Sequence, residues 1–179
     1  MSAIPFAQPS IGEDEIAAVT RVLRSGWLTT GKEALAFESE FAAVVGASHA
    51  LAVNSATAGL HLALEAVGVL PGDYVIVPSL TFTATAEVAR YLGAEVAFAD
   101  VGPASLLIDP DSVAQLAETI HRNGYRVAAI TAVHLAGEPC DMDALQVIAT
   151  RYGAALIEDA AHAFPAWLGE RAVGTLGTV

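Results

Sequence analysis

The sequence has 179 residues, the length of one domain or slightly more, and its 54% hydrophobic and 16% charged content excludes a disordered chain and calls for a large buried core. Eight Lys and Arg against 20 Asp and Glu give a formal net charge of -12, which argues against nucleic acid or an anionic membrane surface as partner, since both need clustered cations. The single cysteine, Cys140, excludes an internal disulfide framework and a cysteine zinc cluster.

Residues 12–25 carry Ile16, Val19, Val22 and Leu23 at helical spacing, and residues 32–45 carry Leu35, Phe37, Phe41 and Val44, so both are predicted helices. Short apolar runs at 50–53, 74–77, 95–99, 127–133 and 154–157 then predict buried strands, with helices at 57–67, 83–92, 111–123 and 141–152 between them. Residues 166–174 read as a hairpin turning at Gly169-Glu170, with Trp167 as a structural residue. Strands that are apolar throughout, each followed by a crossover helix, predict an α/β fold: a mostly parallel sheet with helices on both faces. Right-handed crossovers bring every strand's C-terminal end to one edge, where open sheets bind ligands.

The stretch 41–64 lacks any Asp, Glu, Lys or Arg, yet Ser48, His49, Asn54, Ser55, Thr57 and His61 interrupt it. Gly46 and Asn54 break it into short elements, so it reads as buried core and not as a membrane span. No basic segment followed by an apolar core opens the sequence, so no secretory signal is expected and a cytoplasmic location is.

The residues just after the strands are Asn54 to Thr57, Pro78 to Phe82, Asp100, His134 to Gly137 and Glu158 to His162. Small and hydroxyl residues, one aromatic, carboxylates and imidazoles converge there, a set suited to a planar, phosphorylated ligand. A strand turning into a helix at Asn54 to Thr57 leaves backbone N–H groups at a helix N-terminus, which attract an anion, and Thr57 adds a hydroxyl. On this segment alone an ordinary cap by Asn54 or Ser55 is the favoured reading. Neither a Walker A pattern nor GxGxxG occurs, so a nucleoside triphosphate or a conventionally bound dinucleotide is not indicated.

Glu158-Asp159 closes an apolar strand, which puts at least one carboxylate at the buried floor of the cleft. A buried acid needs a partner, and a protonated ring nitrogen is a good one. The competing readings are a helix cap by Asp159 and a metal pair of Asp159 with His162; metal ranks lowest because no third ligand lies at useful spacing. His134 follows another strand, and a hydrogen-bonded structural role is favoured for it over a place in the site. Phe82 is either a stacking platform for a ring or a core phenylalanine. His49 and His61 read as structural.

Five segments together carry a family resemblance: Ser25 to Gly31 (SGWLTTG), Asn54 to Leu64 (NSATAGLHLAL), Pro78 to Ala86 (PSLTFTATA), His134 to Asp143 (HLAGEPCDMD) and Glu158 to Ala163 (EDAAHA). In this order and spacing they resemble the hallmarks of the DegT/DnrJ/StrS family of sugar aminotransferases, and they cover nearly the whole chain. The resemblance implies pyridoxal phosphate as cofactor and the large-domain fold of the aspartate aminotransferase superfamily. It implies amino transfer from an amino acid, plausibly glutamate, to a keto sugar on a nucleotide, in making amino sugars for cell-surface polysaccharides or antibiotics, by a homodimer. Ala56 and Thr57 then correspond to the phosphate-binding step, and Phe82 to the aromatic that stacks on the pyridine ring. Asp159 corresponds to the acid that keeps the ring nitrogen protonated, and His162 to a position near the ring and its phenolic oxygen. His134 is a further cofactor candidate, and Thr29 and Thr30 belong to the loop that approaches the substrate. Residues 1–31 are accordingly expected to form an N-terminal helix and substrate-side loop, and 32–179 part of the cofactor-binding large domain.

One departure is large. The family's Schiff-base lysine follows the hairpin, whereas the only lysine here is Lys32, so the nucleophile is expected beyond Val179 and this chain alone is expected to be inactive. The alternatives are a pyridoxamine-phosphate-dependent deoxysugar dehydratase of the same family, a non-catalytic regulatory partner, and a metal-dependent hydrolase using Glu158, Asp159 and His162. The superfamily strand order also implies that 50–53 does not pair with 154–157, and that the chain by itself is aggregation-prone or only partly folded.

Overall fold

A computed structural model describes residues 8–179, so the first seven residues of the expected N-terminal unit lie outside the described ones. The elements run α1 (Glu13–Ser25), α2 (Lys32–Val45), α3 (Ala56–Ala66), β1 (Tyr74–Pro78), α4 (Ala84–Tyr91), β2 (Glu95–Ala99), α5 (Pro110–Arg122), β3 (Val127–Val133), α6 (Met142–Tyr152), β4 (Ala155–Asp159) and the hairpin strands β5 (Trp167–Leu168) and β6 (Arg171–Ala172). Strands β1 to β4 form one sheet in the order β2-β1-β3-β4, parallel throughout. The α/β class, the parallel pairing and the hairpin are as the sequence predicts.

Alternation along each strand divides the core into two layers. Val75, Val77, Ala129 and Ile157 pack with Leu60 and Leu64 of α3 and Val88 of α4 on one face. Ile76, Ile130 and Leu156 pack with Val113 and Ile120 of α5 and Leu145 of α6 on the other. Every residue of β3 is buried, because a central parallel strand covered on both sides has no solvent face. Each such Val, Leu or Ile stabilises the fold by roughly 1.5–3 kcal/mol on burial. Helix α5 shows how local chemistry sets the boundaries: Asp109 accepts a hydrogen bond from the Asp111 amide at 3.1 Å and Pro110 occupies the first helical position.

The segment 50–53 departs from its prediction as a strand. Among the described residues it pairs with no strand; the Ala52 amide donates to Glu38 Oε1 at 2.8 Å, and Leu51 is 74% exposed. An apolar run becomes a strand only where a ladder partner is available, and the outer edge of β4 is engaged elsewhere. There the Glu158 amide donates to the Val179 carbonyl at 2.9 Å and the Thr178 amide to the Leu156 carbonyl at 2.6 Å. Gly177 permits this approach, since a Cβ on it would lie 2.6 Å from the Leu156 carbonyl oxygen. Residues 50–53 and β4 therefore stay apart, as the family's strand order implies, and a cleft opens between them.

The chain leaves β1 toward β2 on one side and later returns to β3 on the other, so the strand order reverses between β1 and β3. Ligands of open α/β sheets bind at the C-terminal strand ends beside such a reversal.

Candidate active site

The cleft has a volume of about 700 Å³ and is lined on one side by Phe41, Leu51 and Ala56 and on the other by Asp159 and Phe164. Asp159 is the last residue of β4 and only 8% exposed. Its Oδ2 accepts a hydrogen bond from Thr85 Oγ1 at 3.0 Å, and its Oδ1 accepts from the Ala161 amide at 3.3 Å. Among the described residues no Lys, Arg or His pairs with it; the ion pairs use other carboxylates. A buried carboxylate without a counter-charge is costly, and hydrogen bonds alone offset only part of that cost. A cationic group entering the cleft would supply the rest.

Ala56 begins α3 on the opposite wall. Ser55 caps the helix by accepting from the Ala58 amide at 3.1 Å, as the cap reading predicts. The cap leaves the Ala56 and Thr57 amides without an acceptor among the described residues. Cap and anion site thus coexist: Ser55 satisfies one first-turn donor, and two more remain at the positive end of the helix dipole.

Phe82 lies in the loop between β1 and α4, 76% exposed, its carbonyl accepting from the Thr85 amide at 3.1 Å. It is not a core residue. Thr81 in the same loop meets Thr85 hydroxyl to hydroxyl at 2.7 Å, so the Phe82 loop is tied to Asp159 through two side chains. His162 is exposed and its Nδ1 accepts from the Ala136 amide at 3.4 Å, which leaves the proton of the neutral ring on Nε2. Ala136 holds a left-handed conformation at φ 54°, a strained position for a residue with a Cβ and one that fixes this contact.

His134 does not reach the cleft. It is fully buried, its Nδ1 accepts from the Cys140 amide at 3.0 Å and its Nε2 lies 3.1 Å from Glu158 Oε2. Both ring nitrogens are engaged inside the protein, so the geometry gives it the structural role and removes it from the cofactor candidates. Thr29 and Thr30 sit in the loop between α1 and α2, where the Thr30 carbonyl accepts from the Trp27 indole at 3.1 Å; no hydrogen bond joins either residue to Asp159 or Ala56. Lys32 is exposed at the first residue of α2, outside the cleft lining.

Glu158 and Asp159 are neighbours with opposite surroundings. The Glu158 side chain is 1% exposed and accepts from the amides of Gly174 at 2.9 Å, Leu176 at 2.6 Å and Gly177 at 2.7 Å, besides its contact with His134. Burial pushes its pKa up, but the His134 ring and the three amides outweigh burial and hold the carboxyl below its ordinary range. A carboxylate so fully engaged has no lone pair left for a metal or a substrate proton, which removes one of the three residues that a hydrolase reading needs. Among the described residues no group of three or more His, Cys, Asp and Glu is arranged to hold a metal ion. Sequence reasoning missed the hydroxyl pair Thr81 and Thr85; their spacing of four across a helix start was the available signal.

These features can be set beside known proteins. A model of the DegT/DnrJ/EryC1/StrS aminotransferase family matches residues 9–179. The chain belongs to this family. It is similar to the spore coat polysaccharide biosynthesis protein SpsC of Bacillus subtilis (strain 168), at 45% identity over 174 residues, 97% of this chain and 43% of SpsC. Its structure is similar to that of 3-amino-5-hydroxybenzoic acid synthase, with a TM-score of 0.87 and 41% identity over 95% of this chain and 43% of that one. It is also similar to the pyridoxal phosphate form of a Streptococcus pneumoniae protein described as a sugar aminotransferase, with a TM-score of 0.87 and 30% identity over 97% and 47% of the two chains. The chain thus spans less than half the length of these relatives. The fold is that of fold type I pyridoxal-phosphate enzymes, and the family's aminotransferases use that cofactor. Residues present here fit it: among the described residues, first-turn amides without an acceptor suit an anion, and a buried acid without a cation suits a protonated ring. No helix among the described residues is long and apolar enough to cross a membrane.

Proposed function

We propose that the protein, in its complete form, transfers an amino group from an amino acid, with glutamate as donor, to a keto sugar carried on a nucleotide. The observation that carries the proposal is Asp159, a nearly buried carboxylate on the cleft that lacks a cationic partner among the described residues. Pyridoxal phosphate, when bound, supplies an electron sink whose strength depends on a protonated ring nitrogen. Asp159 is the group that would hold that proton in place by charge pairing. The amides of Ala56 and Thr57, with the Thr57 hydroxyl, would bind the phosphate; Phe82 would cover one face of the ring; His162 would donate from Nε2 to an oxygen on the ring. Thr29 and Thr30 remain the proposed substrate-side residues of an N-terminal unit, 1–31, preceding the cofactor-binding unit, 32–179.

Lys32 does not line the cleft, so the lysine that bonds the cofactor is proposed to lie beyond Val179. A homodimer in the cytoplasm completes the reading. The similarity to SpsC supports a role in polysaccharide assembly, and so a sugar acceptor.

The test uses the complete protein and Asp159→Asn, which keeps the shape of the side chain and removes its charge. Both should bind pyridoxal phosphate, detected by its absorbance after dialysis, while amino transfer from glutamate to a nucleotide-linked keto sugar should fall about 10²-fold or more in the variant. Turnover close to wild type in Asp159→Asn would overturn the assignment.

A further inference from the structure

We infer that Thr85 is a positioning residue for Asp159, and that Thr81 and Thr85 form a directed hydrogen-bond relay coupling the Phe82 loop to that acid; the functional weight of the relay rests on the role proposed for Asp159. The direction follows from proton counting. An ionised carboxylate only accepts, so the single Thr85 hydroxyl proton points to Asp159 Oδ2 at 3.0 Å. The Thr85 oxygen is then the acceptor in the 2.7 Å contact with Thr81, and Thr81 must donate. The chain runs Thr81 to Thr85 to Asp159, each bond polarising the next.

Its placement makes it more than a filled hydrogen-bonding requirement. Thr85 is 1% exposed in the first turn of α4, which follows β1, whereas Asp159 ends β4. β3 lies between those strands, so the bond spans the point where the strand order reverses. With Oδ2 bound by Thr85 and Oδ1 by the Ala161 amide, the carboxylate is held at both oxygens. Thr81 immediately precedes Phe82, so a shift of the ring-covering loop breaks the first bond and weakens the second. Acid and aromatic are thereby set as one unit.

The experiment measures the ionisation of Asp159 by carbon-13 NMR of its carboxyl in the cofactor-free complete protein, and cofactor affinity and turnover separately. Thr85→Val keeps the volume and removes the donor; Thr85→Ser keeps the donor. Thr85→Val removes a hydrogen bond to the charged form, so it should move the carboxyl titration to higher pH, and by loosening the placement of the carboxylate it should lower turnover about tenfold. Thr85→Ser should restore both. Thr81→Val, in the half-buried loop, should move both in the same direction by less, and it decides the matter if Thr85→Val does not fold. An Asp159 titration unmoved in Thr85→Val, or in Thr81→Val where that variant decides, overturns the relay whatever the activity. Full turnover in Asp159→Asn instead sinks the functional reading and leaves the measured coupling standing.

Discussion

The two walls of the cleft are built differently. On one wall the sheet and its helices bury whole side chains: Val75, Ile76, Val77, Ile130 and Leu156 are all 0% exposed. On the other, α2 buries only Val45 and Leu51 is 74% exposed, and α1, outside the cleft lining, buries no residue and leaves Ile16, Val19 and Leu23 more than half exposed. Both walls are amphipathic in sequence, so the difference lies in partners and not in composition. The sheet finds its own covers within this chain; α1, α2 and 50–53 show apolar faces that no other described residue fully covers.

The largest effect should come from Glu158, which anchors residues 174–179 to the stable wall. Glu158→Ala removes the acceptor of three amides and of His134 together, and each buried donor left unpaired costs about 1–3 kcal/mol. Chemical denaturation measures it, and a loss under about 1 kcal/mol would show that the segment is held by other contacts. The pH dependence follows from the lowered Glu158 pKa. Its stabilisation is fully present above the unfolded carboxyl value of about 4.3 and is lost as pH falls through the lower folded value. Glu158→Gln should therefore flatten the acid limb of the stability curve below about pH 4.

Next in size is a direct contrast between the sheet and α1. Leu156→Ala should cost about 2–5 kcal/mol because a fully packed site cannot collapse around the missing atoms, whereas Leu23→Ala should stay within about 0.5 kcal/mol. Equal losses would mean that α1 is covered in solution by a surface of the assembled protein. Smaller again is the seam between the walls, where the Phe41 and Phe164 rings lie 5.0 Å apart, tilted by 36°. Phe41→Ala should remove about 0.5–1.5 kcal/mol beyond its burial, and amide exchange in 50–53 should speed up more than in β3.

Most of the sheet was legible in the sequence because its signals are local. Residues 95–99 and 127–133 are mostly apolar runs that match β2 and β3 to the residue, and Asp109-Pro110 marks the start of α5 within one position. The segment 50–53 has the same composition as a buried strand and no ladder. Pairing is a property of what lies alongside, which a one-dimensional pattern does not carry. The site divides in the same way. Asp159 and Ala56 were readable because strand ends and helix starts are local features. The favoured structural role of His134 was readable too, but its partners Glu158 and Cys140 were not, and neither was Thr85, which gains its meaning from a residue 74 positions away.

The smallest perturbation of stability gives the sharpest reading of the two walls, through thiol chemistry. Cys140 is 1% exposed, its Sγ donates to the Val133 carbonyl at 3.2 Å, and burial pushes its pKa up to about 12. The thiolate is the reacting species, so near pH 8 only about one molecule in ten thousand carries it, and a reagent must also reach it. Cys140 should therefore react with a disulfide reagent only when the sheet wall opens, at a rate that tracks global unfolding in denaturant. Leu51→Cys, placed in a Cys140→Ala background at a 74% exposed position, should react at the rate of a free thiol in native buffer. Comparable rates at the two positions would show that the sheet wall opens as readily as the other, and the contrast between the walls would fail.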